Sequence, residues 1–155
     1  MTKKEKLQYL KQGHQKMRDL ISNLNDFQIN DLKVLDDWTT KDVLSHLAAW
    51  NIENIKRIEV LLTSKEIPWW WNSPEGDDEF NEKAIAQRKD KSTQEVINEW
   101  ENSFQNFIKR AEELSDEEWQ HNSPIPLKEF FVYEYYGLEH EGGHAKQIEG
   151  FLKNQ

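Results

Sequence analysis

The sequence predicts an all-α protein, an antiparallel four-helix bundle with a long loop after its second long helix and one short extra helix. Apolar residues recur at steps of three and four over four long segments, which is the period of an amphipathic α-helix. Capping residues precede several of these segments, and the alternation typical of strands is scarce. Long helical segments joined by connections of uneven length are typical of helix bundles.

Length and charge limit the functional classes. A chain of 155 residues suits one domain, residues 1–155, with a single core. The net charge is −9 and no cluster of Lys and Arg is present, which argues against nucleic-acid binding. No apolar run approaches a membrane span, and the first residues lack an apolar signal segment, so we expect a cytoplasmic protein without a membrane partner. The chain has no cysteine, which excludes disulfides and thiolate metal ligands.

The first two long helices have clear starting signals. The first helix is predicted over residues 3–24, where apolar side chains recur along one face. The second helix begins at Thr39 or Thr40, either of which can cap it, and continues to Leu62. Residues 64–79 contain two prolines and a glycine, and are therefore predicted to form the long loop.

The second half of the chain contains the remaining helices. The short extra helix is predicted from Phe80 to Gln87. Ser92-Thr-Gln-Glu95 is a capping box, and it begins the third long helix, which continues to Leu114. Ser115 to Glu118 repeats the capping pattern for a brief turn. After a break that contains two prolines, the last helix is predicted from Lys128 to Leu152.

Residues 140–144 read His-Glu-Gly-Gly-His, which matches the H-E-x-x-H pattern of zinc metalloproteases. On a helix, His140 and His144 lie one turn apart on one face, so both imidazoles can reach one ion. In the protease interpretation, Glu141 is the general base that activates water. The third ligand of such enzymes lies well downstream, however, and only eleven residues follow His144. A protease fold is therefore not expected.

The third ligand must come from upstream, and His46 is the best-placed candidate. It lies at the edge of the apolar face of the second long helix, one turn before Trp50. Three neutral imidazoles hold Zn²⁺ or Ni²⁺ and leave coordination positions open, which is the layout of a catalytic site. The competing interpretation is that these histidines only pack at the edge of the core. His14 falls within the apolar face of the first helix and is interpreted as a core residue.

Glu141 is the candidate catalytic residue, and three roles are open for it. It shares an inward stripe with Glu134, seven residues earlier, and a buried carboxylate needs a partner. Glu141 can accept a hydrogen bond from a ligand histidine, act as general base for metal-bound water, or form a salt bridge to a neighbouring helix.

Three consecutive tryptophans follow Pro68 in the predicted loop. We expect Trp70 and Trp71, together with Trp50, to cover the metal pocket and bind an apolar part of the substrate. The competing interpretation places the tryptophans at the end of the bundle or at a dimer contact, because exposed aromatic patches often mark interfaces.

Two segments carry a resemblance to a known family. Trp38-Thr-Thr-Lys-Asp-Val-Leu-Ser-His46-Leu-Ala-Ala-Trp50 resembles the second-helix motif of the DinB-like superfamily. His140-x-x-x-His144-x-x-Gln147-Ile148 resembles its last-helix motif. The stretch from Phe80 to Ser103 is further similar to the ClbS/DfsB-like branch. The resemblance covers nearly the whole chain.

The resemblance implies an antiparallel four-helix bundle in which His46, His140 and His144 hold a divalent metal. Members include S-transferases that use a low-molecular-weight thiol such as bacillithiol, a thiol-dependent isomerase, and metal-dependent hydrolases, one of which, in the ClbS-like branch, is a cyclopropane hydrolase. Many members are homodimers, so a homodimer is an expectation here. Two features depart from the pattern, namely the Gly142-Gly143 pair and the tryptophan run, and both bear on the substrate more than on the metal.

Three functional hypotheses follow. The first is a metal-dependent thiol S-transferase or hydrolase that acts on a small electrophilic molecule. The second is a non-catalytic bundle that sequesters a small molecule or a metal. The third is a member of the family that has lost its metal. Because the chain has no cysteine, any thiol must arrive as a co-substrate.

Overall fold

The computed structural model describes residues 2–72, 75–133 and 140–155. These residues are mostly helical, which confirms the all-α class. The helices are α1 Lys3–Ser22, α2 Asp26–Asn30, α3 Thr40–Thr63, α4 Glu75–Arg88, α5 Thr93–Glu113, α6 Asp116–Trp119, α7 Leu127–Tyr133 and α8 Glu141–Lys153. A 3₁₀-helix covers Trp69–Asn72, and two short strands are β1 Lys33–Leu35 and β2 Trp38–Thr39. Within these described ranges, no helix is long and apolar enough to cross a membrane.

Capping boxes begin both α3 and α5, where the sequence predicts a box at Ser92 and a cap at Thr39 or Thr40. The Thr39 hydroxyl accepts from the Asp42 amide at 3.2 Å, and the Asp42 carboxylate accepts from the Thr39 amide at 3.0 Å. Ser92 and Glu95 make the same reciprocal pair at 3.1 and 2.7 Å. Each box satisfies two amide groups that have no partner within the helix. The capping box at Thr39 therefore fixes the residue at which α3 begins.

The long helices pack chiefly as two pairs, α3 against α5 and α1 against α8, with smaller contacts between α1 and α5 and between α3 and α8. Two apolar clusters lie between them. One joins the start of α3 to the ends of α1 and α8 and contains the fully buried Met17, Leu44 and Ile148. The other joins the end of α3 to α5 and α7. The arrangement of the four long helices as one antiparallel bundle stays a prediction.

The segment predicted as a long loop contains more structure than expected. Residues 69–72 form the 3₁₀-helix, and α4 begins at Glu75, five residues before the predicted extra helix. The prediction read Pro74 and Gly76 as loop residues. Pro74 lies outside the described residues. Acidic residues such as Asp77 and Asp78 in the first turn interact well with the helix dipole, and this effect offsets the cost of one glycine.

The hairpin of β1 and β2 was not expected from the sequence. The strands are antiparallel, with Lys33 opposite Thr39 and Leu35 opposite Trp38. Asp36, in the turn, has a positive φ of 53°, which Asp tolerates better than most residues. Strands of two and three residues are too short to show a readable alternation. The hairpin matters because it places Leu35 and Trp38 beside the predicted metal ligands.

The last helix was predicted as continuous from Lys128 to Leu152, and this is wrong at His140. The structure has α7 at Leu127–Tyr133 and begins α8 at Glu141, and His140 caps α8 with a non-helical backbone (φ −95°, ψ −81°). Three glycines near this point lower helix propensity, by roughly 1 kcal/mol each relative to Ala. Glu134, the other carboxylate of the predicted inward stripe, lies outside the described residues.

Candidate metal centre

The three predicted ligands come together at the start of α8. His140 and His144 lie there, and His46 extends toward them from α3. Each of the three imidazoles offers a nitrogen within 4.8 Å of the other two. The Nε2 atoms of His46 and His140 are 3.0 Å apart. The ring of His144 lies 5.2 Å from that of His46 and 5.1 Å from that of His140, between centroids. Although His140 is not inside the helix, its carbonyl still accepts from the His144 amide at 2.9 Å, so the two remain one turn apart.

The donor set fits a borderline divalent ion. Zinc binds imidazole nitrogen at roughly 2.0–2.1 Å, so two such nitrogens lie roughly 2.8–3.4 Å apart at coordination angles between a right angle and the tetrahedral angle. The 3.0 Å between His46 and His140 is within that range. Three imidazoles without a thiolate suit Zn²⁺ or Ni²⁺.

Asn81, on α4, sets the tautomer of His46. Its Oδ1 atom accepts from the Trp50 indole N–H at 2.7 Å and lies 2.8 Å from His46 Nδ1. The indole nitrogen is a donor only, so the Asn81 atom that faces it must be oxygen. That oxygen can only accept, so His46 carries its proton on Nδ1. The Nε2 lone pair is thereby left for a metal ion, in the pattern that supports metal-ligating histidines.

His144 has a similar support. Its Nδ1 atom lies 2.9 Å from Oε1 of Gln147, three residues later on α8. A proton held on Nδ1 by this contact leaves Nε2 of His144 available on the side of the other two rings. The support comes from within the helix, so it was present in the predicted last-helix motif, although its role was not recognised there.

Burial keeps the three imidazoles neutral. Burial, with the proximity of His144 adding, lowers the pKa of His46 to about 4, although the hydrogen bond to Asn81 acts in the opposite direction. Burial also lowers the pKa of His140 well below its ordinary value, and His46 and His144 add to the effect. The pKa of His144 is lowered by burial too. The neutral imidazole is the form that binds metal.

The triad lines a cavity of about 480 Å³. The hairpin, α3, α4 and the start of α8 form its walls. Its lining residues are Leu35, Trp38, His46, Asn81, His140, Gly143, His144 and Gln147. One of the two glycines that depart from the family pattern thus lies at the cavity wall. Trp38 was quoted in the second-helix motif but not recognised as a wall residue, because the hairpin that positions it was not expected.

The predicted substrate-binding tryptophans are not among the residues that line this cavity. Trp50 is buried and contacts the centre through Asn81. Trp70 and Trp71 are partly buried and pack against the apolar cluster of α5 and α7. Trp69 is the exposed member of the run, at 73%. A role for Trp50, Trp70 and Trp71 in binding substrate stays a prediction.

Glu141 is buried and bonded to two other helices. Its Oε1 accepts from the Trp100 indole N–H at 3.1 Å, and its Oε2 lies 2.8 Å from His14 Nδ1. Of the three roles left open by the sequence, the bridge to a neighbouring helix is therefore present. The general-base role stays a prediction, and both carboxylate oxygens are already engaged.

His14 is a core residue, as predicted, with polar contacts that the sequence did not reveal. It is buried and stacks on Phe104, with ring centroids 3.7 Å apart and an interplanar angle of 3°. Its Nε2 atom lies 3.0 Å from Glu101, which also accepts from Arg18 at 2.6 Å. These contacts form a row of polar groups that runs from Arg18 at the surface through His14 to Glu141 beside the triad.

Comparison with known proteins agrees with this site. A family model described as the DinB superfamily matches residues 9–148, a span that contains all three histidines of the triad as well as Asn81 and Gln147. No curated protein and no solved structure matches the chain at a significant level. The match to the family model is therefore the finding that relates this chain to known proteins.

Proposed function

The chain belongs to the DinB superfamily, and from this membership and the histidine triad we propose that it is a divalent-metal-dependent enzyme that acts on a small electrophilic molecule. His46, His140 and His144 hold the ion, Zn²⁺ or Ni²⁺. One observation carries the proposal: three nitrogen donors within 4.8 Å of one another line a cavity of about 480 Å³. A cavity of this size suits a small molecule.

When bound by three imidazoles with coordination positions left open, such an ion supplies Lewis-acid chemistry that lowers the pKa of a water molecule or a thiol. The chain's own residues prepare the site. Asn81 and Gln147 orient two of the ligands, and burial keeps the imidazoles neutral at pH 7. Leu35 and Trp38 provide an apolar wall that excludes water from one side of the site.

The reaction we favour is attack of a thiol sulfur on the electrophile, in which a carbon–sulfur bond forms, the S–H proton is released, and the leaving group of the electrophile departs with the electrons of the broken bond. Among the described residues that line the cavity there is no carboxylate, and both oxygens of Glu141 are engaged by Trp100 and His14. A thiol, with an ordinary pKa of about 8.5, needs less help from a base than water does. Since the chain has no cysteine, the thiol enters as a co-substrate, for example bacillithiol. Hydrolysis is the second reaction class.

Metal content tests the centre itself. Protein without a histidine tag is analysed by plasma mass spectrometry, beside His144→Ala and the control His121→Ala, which changes a histidine outside the triad. We expect roughly one zinc or nickel per chain in the wild type and the control, and loss in His144→Ala. Absence of metal from all three, even after incubation with Zn²⁺ and Ni²⁺, would remove the proposal.

Turnover tests the reaction class. Metal-loaded protein is incubated with small electrophiles, with and without bacillithiol or glutathione, and loss of the electrophile is measured. Saturable loss that requires the thiol supports S-transfer, and equal loss without it supports hydrolysis. Tight binding of an electrophile without loss in either case would instead indicate the non-catalytic, sequestering protein.

A further inference from the structure

Arg57 is enclosed between two of the tryptophans. It lies on α3 and is 6% exposed. Its guanidinium carbon lies 4.7 Å from the centre of the Trp50 ring and 4.4 Å from the centre of the Trp70 ring. A flat cation between two indole faces is stabilised by cation–π interaction, and the two rings fix its plane.

The hydrogen-bonding demand of Arg57 is not met. A guanidinium carries five N–H donors, and buried donors normally have partners. Its Nε atom is buried and has no hydrogen-bond partner among the described residues. Within that part of the chain, the carboxylates paired with it are Glu53 at 3.7 Å and Asp77 at 3.9 Å, and both are beyond hydrogen-bonding distance. Burial raises the pKa of Asp77 in spite of the opposing effect of Arg57, which agrees with a weak pair.

The other three arginines of the chain have carboxylate partners within hydrogen-bonding distance. Arg18, Arg88 and Arg110 each donate to a carboxylate, at 2.9, 2.5 and 2.5 Å. Arg88 is the closest match, because its side chain is only 9% exposed, yet it has this close partner. The fold can therefore satisfy a buried guanidinium, and at Arg57 it does not. An anion-binding site requires a cation that is held in place and has N–H donors without a protein partner.

Arg57 and the metal centre lie on either side of Trp50. His46, Trp50 and Arg57 share one face of α3, and His46 and Arg57 are roughly 16 Å apart along the axis. The side chains of both residues lean toward the N-terminus of the helix, so their functional groups stay on the order of 10–16 Å apart. The Trp50 ring contacts Arg57, and its N–H reaches Asn81, which supports His46. Arg57 is not among the residues that line the histidine cavity, so a molecule that reaches both must extend past the Trp50 ring.

We propose that Arg57 binds a carboxylate group of the small molecule that reacts at the histidine triad. A planar guanidinium and a planar carboxylate pair through two parallel hydrogen bonds, which a lysine cannot reproduce. The chain carries a net charge of −9, so an anionic molecule needs a local cation to be held. The inference rests on the proposed function for the reacting end, and it narrows the substrate class. The carboxylate belongs either to the thiol or to the electrophile.

Calorimetric titration of the metal-free protein tests this site and identifies the source of the carboxylate. Glutathione is the thiol probe and maleate the electrophile probe, each compared with its diester, in which the carboxylates are blocked. We expect at least one acid to bind saturably and its diester to bind roughly tenfold or more weakly. Arg57→Met is expected to weaken binding of that acid roughly ten- to a hundredfold. The matched control Arg110→Met should bind it like the wild type.

Thermal unfolding separates binding from a structural role. Replacement of a buried cation that has unmet donors by an apolar side chain is expected to leave Tm unchanged or raised in Arg57→Met. A lowered Tm with unchanged affinity for the acid would show that Arg57 is structural and overturn the proposal. If Arg57→Met does not fold, Arg57→Lys keeps the charge without the planar fork and should bind the acid roughly tenfold more weakly. Equal binding by Arg57→Lys would then overturn the proposal.

Two further outcomes are decisive. Absence of binding by the wild type to both acids up to about 10 mM would overturn the proposal. His144→Ala should bind the acid like the wild type, because the titration uses metal-free protein. If the chain binds no metal but binding of the acid still depends on Arg57, the proposed function fails while the anion site stands. The proposed metal-dependent function and the proposed anion site can therefore be tested independently.

Discussion

At the scale of single residues, the amide oxygen of Asn81 orients one ligand of the candidate centre. It accepts from Trp50 at 2.7 Å and pairs with His46 Nδ1 at 2.8 Å. Without it, the buried indole N–H would lose its partner and His46 would be free to exchange tautomers and rotate. Supports of this kind are commonly worth a factor of 10–100 in metal affinity.

Replacement of Asn81 by Leu is therefore expected to weaken zinc or nickel binding roughly 10- to 100-fold. The physical reason is the loss of the acceptor that holds the proton on His46 Nδ1. Competition with a coloured chelator measures the affinity, and Asn81→Asp, which keeps an oxygen acceptor, is the control. Wild-type affinity in Asn81→Leu would show that the metal does not depend on this support.

Glu141 is the second residue whose role can be decided by one substitution. In Glu141→Gln, the buried charge opposite His14 is lost and one of its two hydrogen bonds changes character. We expect the free energy of unfolding to fall by about 1–3 kcal/mol, with metal content retained. Urea titration measures the stability. Unchanged stability with abolished turnover would instead assign Glu141 as the general base.

At the scale of elements, α3 determines the geometry of both sites. It carries His46 and Trp50 and, further along, Arg57. Its first turn is set by Thr39, whose hydroxyl accepts from Asp42 at 3.2 Å. The neighbouring Thr40 has a buried hydroxyl that finds no hydrogen-bond partner in the described part of the chain. Two adjacent threonines thus differ in what their hydroxyl groups contribute.

The same substitution at these two positions should have opposite effects. Thr39→Val removes the cap and is expected to destabilise the protein by about 1 kcal/mol, within a range of about 0.5–2. Thr40→Val replaces an unpartnered buried hydroxyl by a methyl group and should be neutral or stabilising. Urea unfolding followed by circular dichroism measures both. Equal losses at the two sites would contradict the assignment of Thr39 as the cap.

At the scale of the whole molecule, the buried imidazoles make the stability of the metal-free protein depend on pH. The pKa of His46 is lowered from its ordinary value of 6.5 to about 4. Between these values the unfolded chain binds a proton that the folded chain does not. The free energy of unfolding is therefore constant with respect to His46 above pH 6.5 and falls as the pH is lowered toward 4.

Substitution of His46 should remove part of this dependence. We expect His46→Gln to show a shallower loss of stability between pH 6.5 and 4 than the wild type. Chemical unfolding in the presence of a chelator, at a series of pH values, measures the slope. His121→Gln, which changes a histidine outside the triad, is the comparison. If His46→Gln and the wild type have the same slope, His46 does not titrate as the structure indicates.

The oligomeric state also belongs to this scale, and a homodimer remains our proposal. Trp69 and Ile67 lie next to each other in sequence around Pro68 and are 73% and 56% exposed. Exposed apolar side chains of this size often mark interfaces. We expect Trp69→Ser to shift a dimer toward monomer in analytical ultracentrifugation, without loss of metal. A wild type that is monomeric at all concentrations would exclude the dimer.

The sequence by itself determined the helical class, the start of α5, a start of α3 at Thr39 or Thr40, and the placement of His140 and His144 one turn apart. These features are local. Periodicity of 3.6, capping boxes and the spacing of His140 and His144 all involve residues within one or two turns. A motif within one helix can therefore be read without knowing how the helices pack.

Only the tertiary structure decided the surroundings of those ligands. Trp50 and Asn81 are separated by 31 positions, and His14 and Glu141 by 127. No local pattern links residues so far apart, because their contact depends on which helix faces pack together. The same holds for the indole pair around Arg57, which joins α3 to the 3₁₀-helix. Helical motifs in the sequence indicate the candidate ligands. The orientation of those ligands, the cavity that they line and the enclosure of Arg57 depend on how the helices pack.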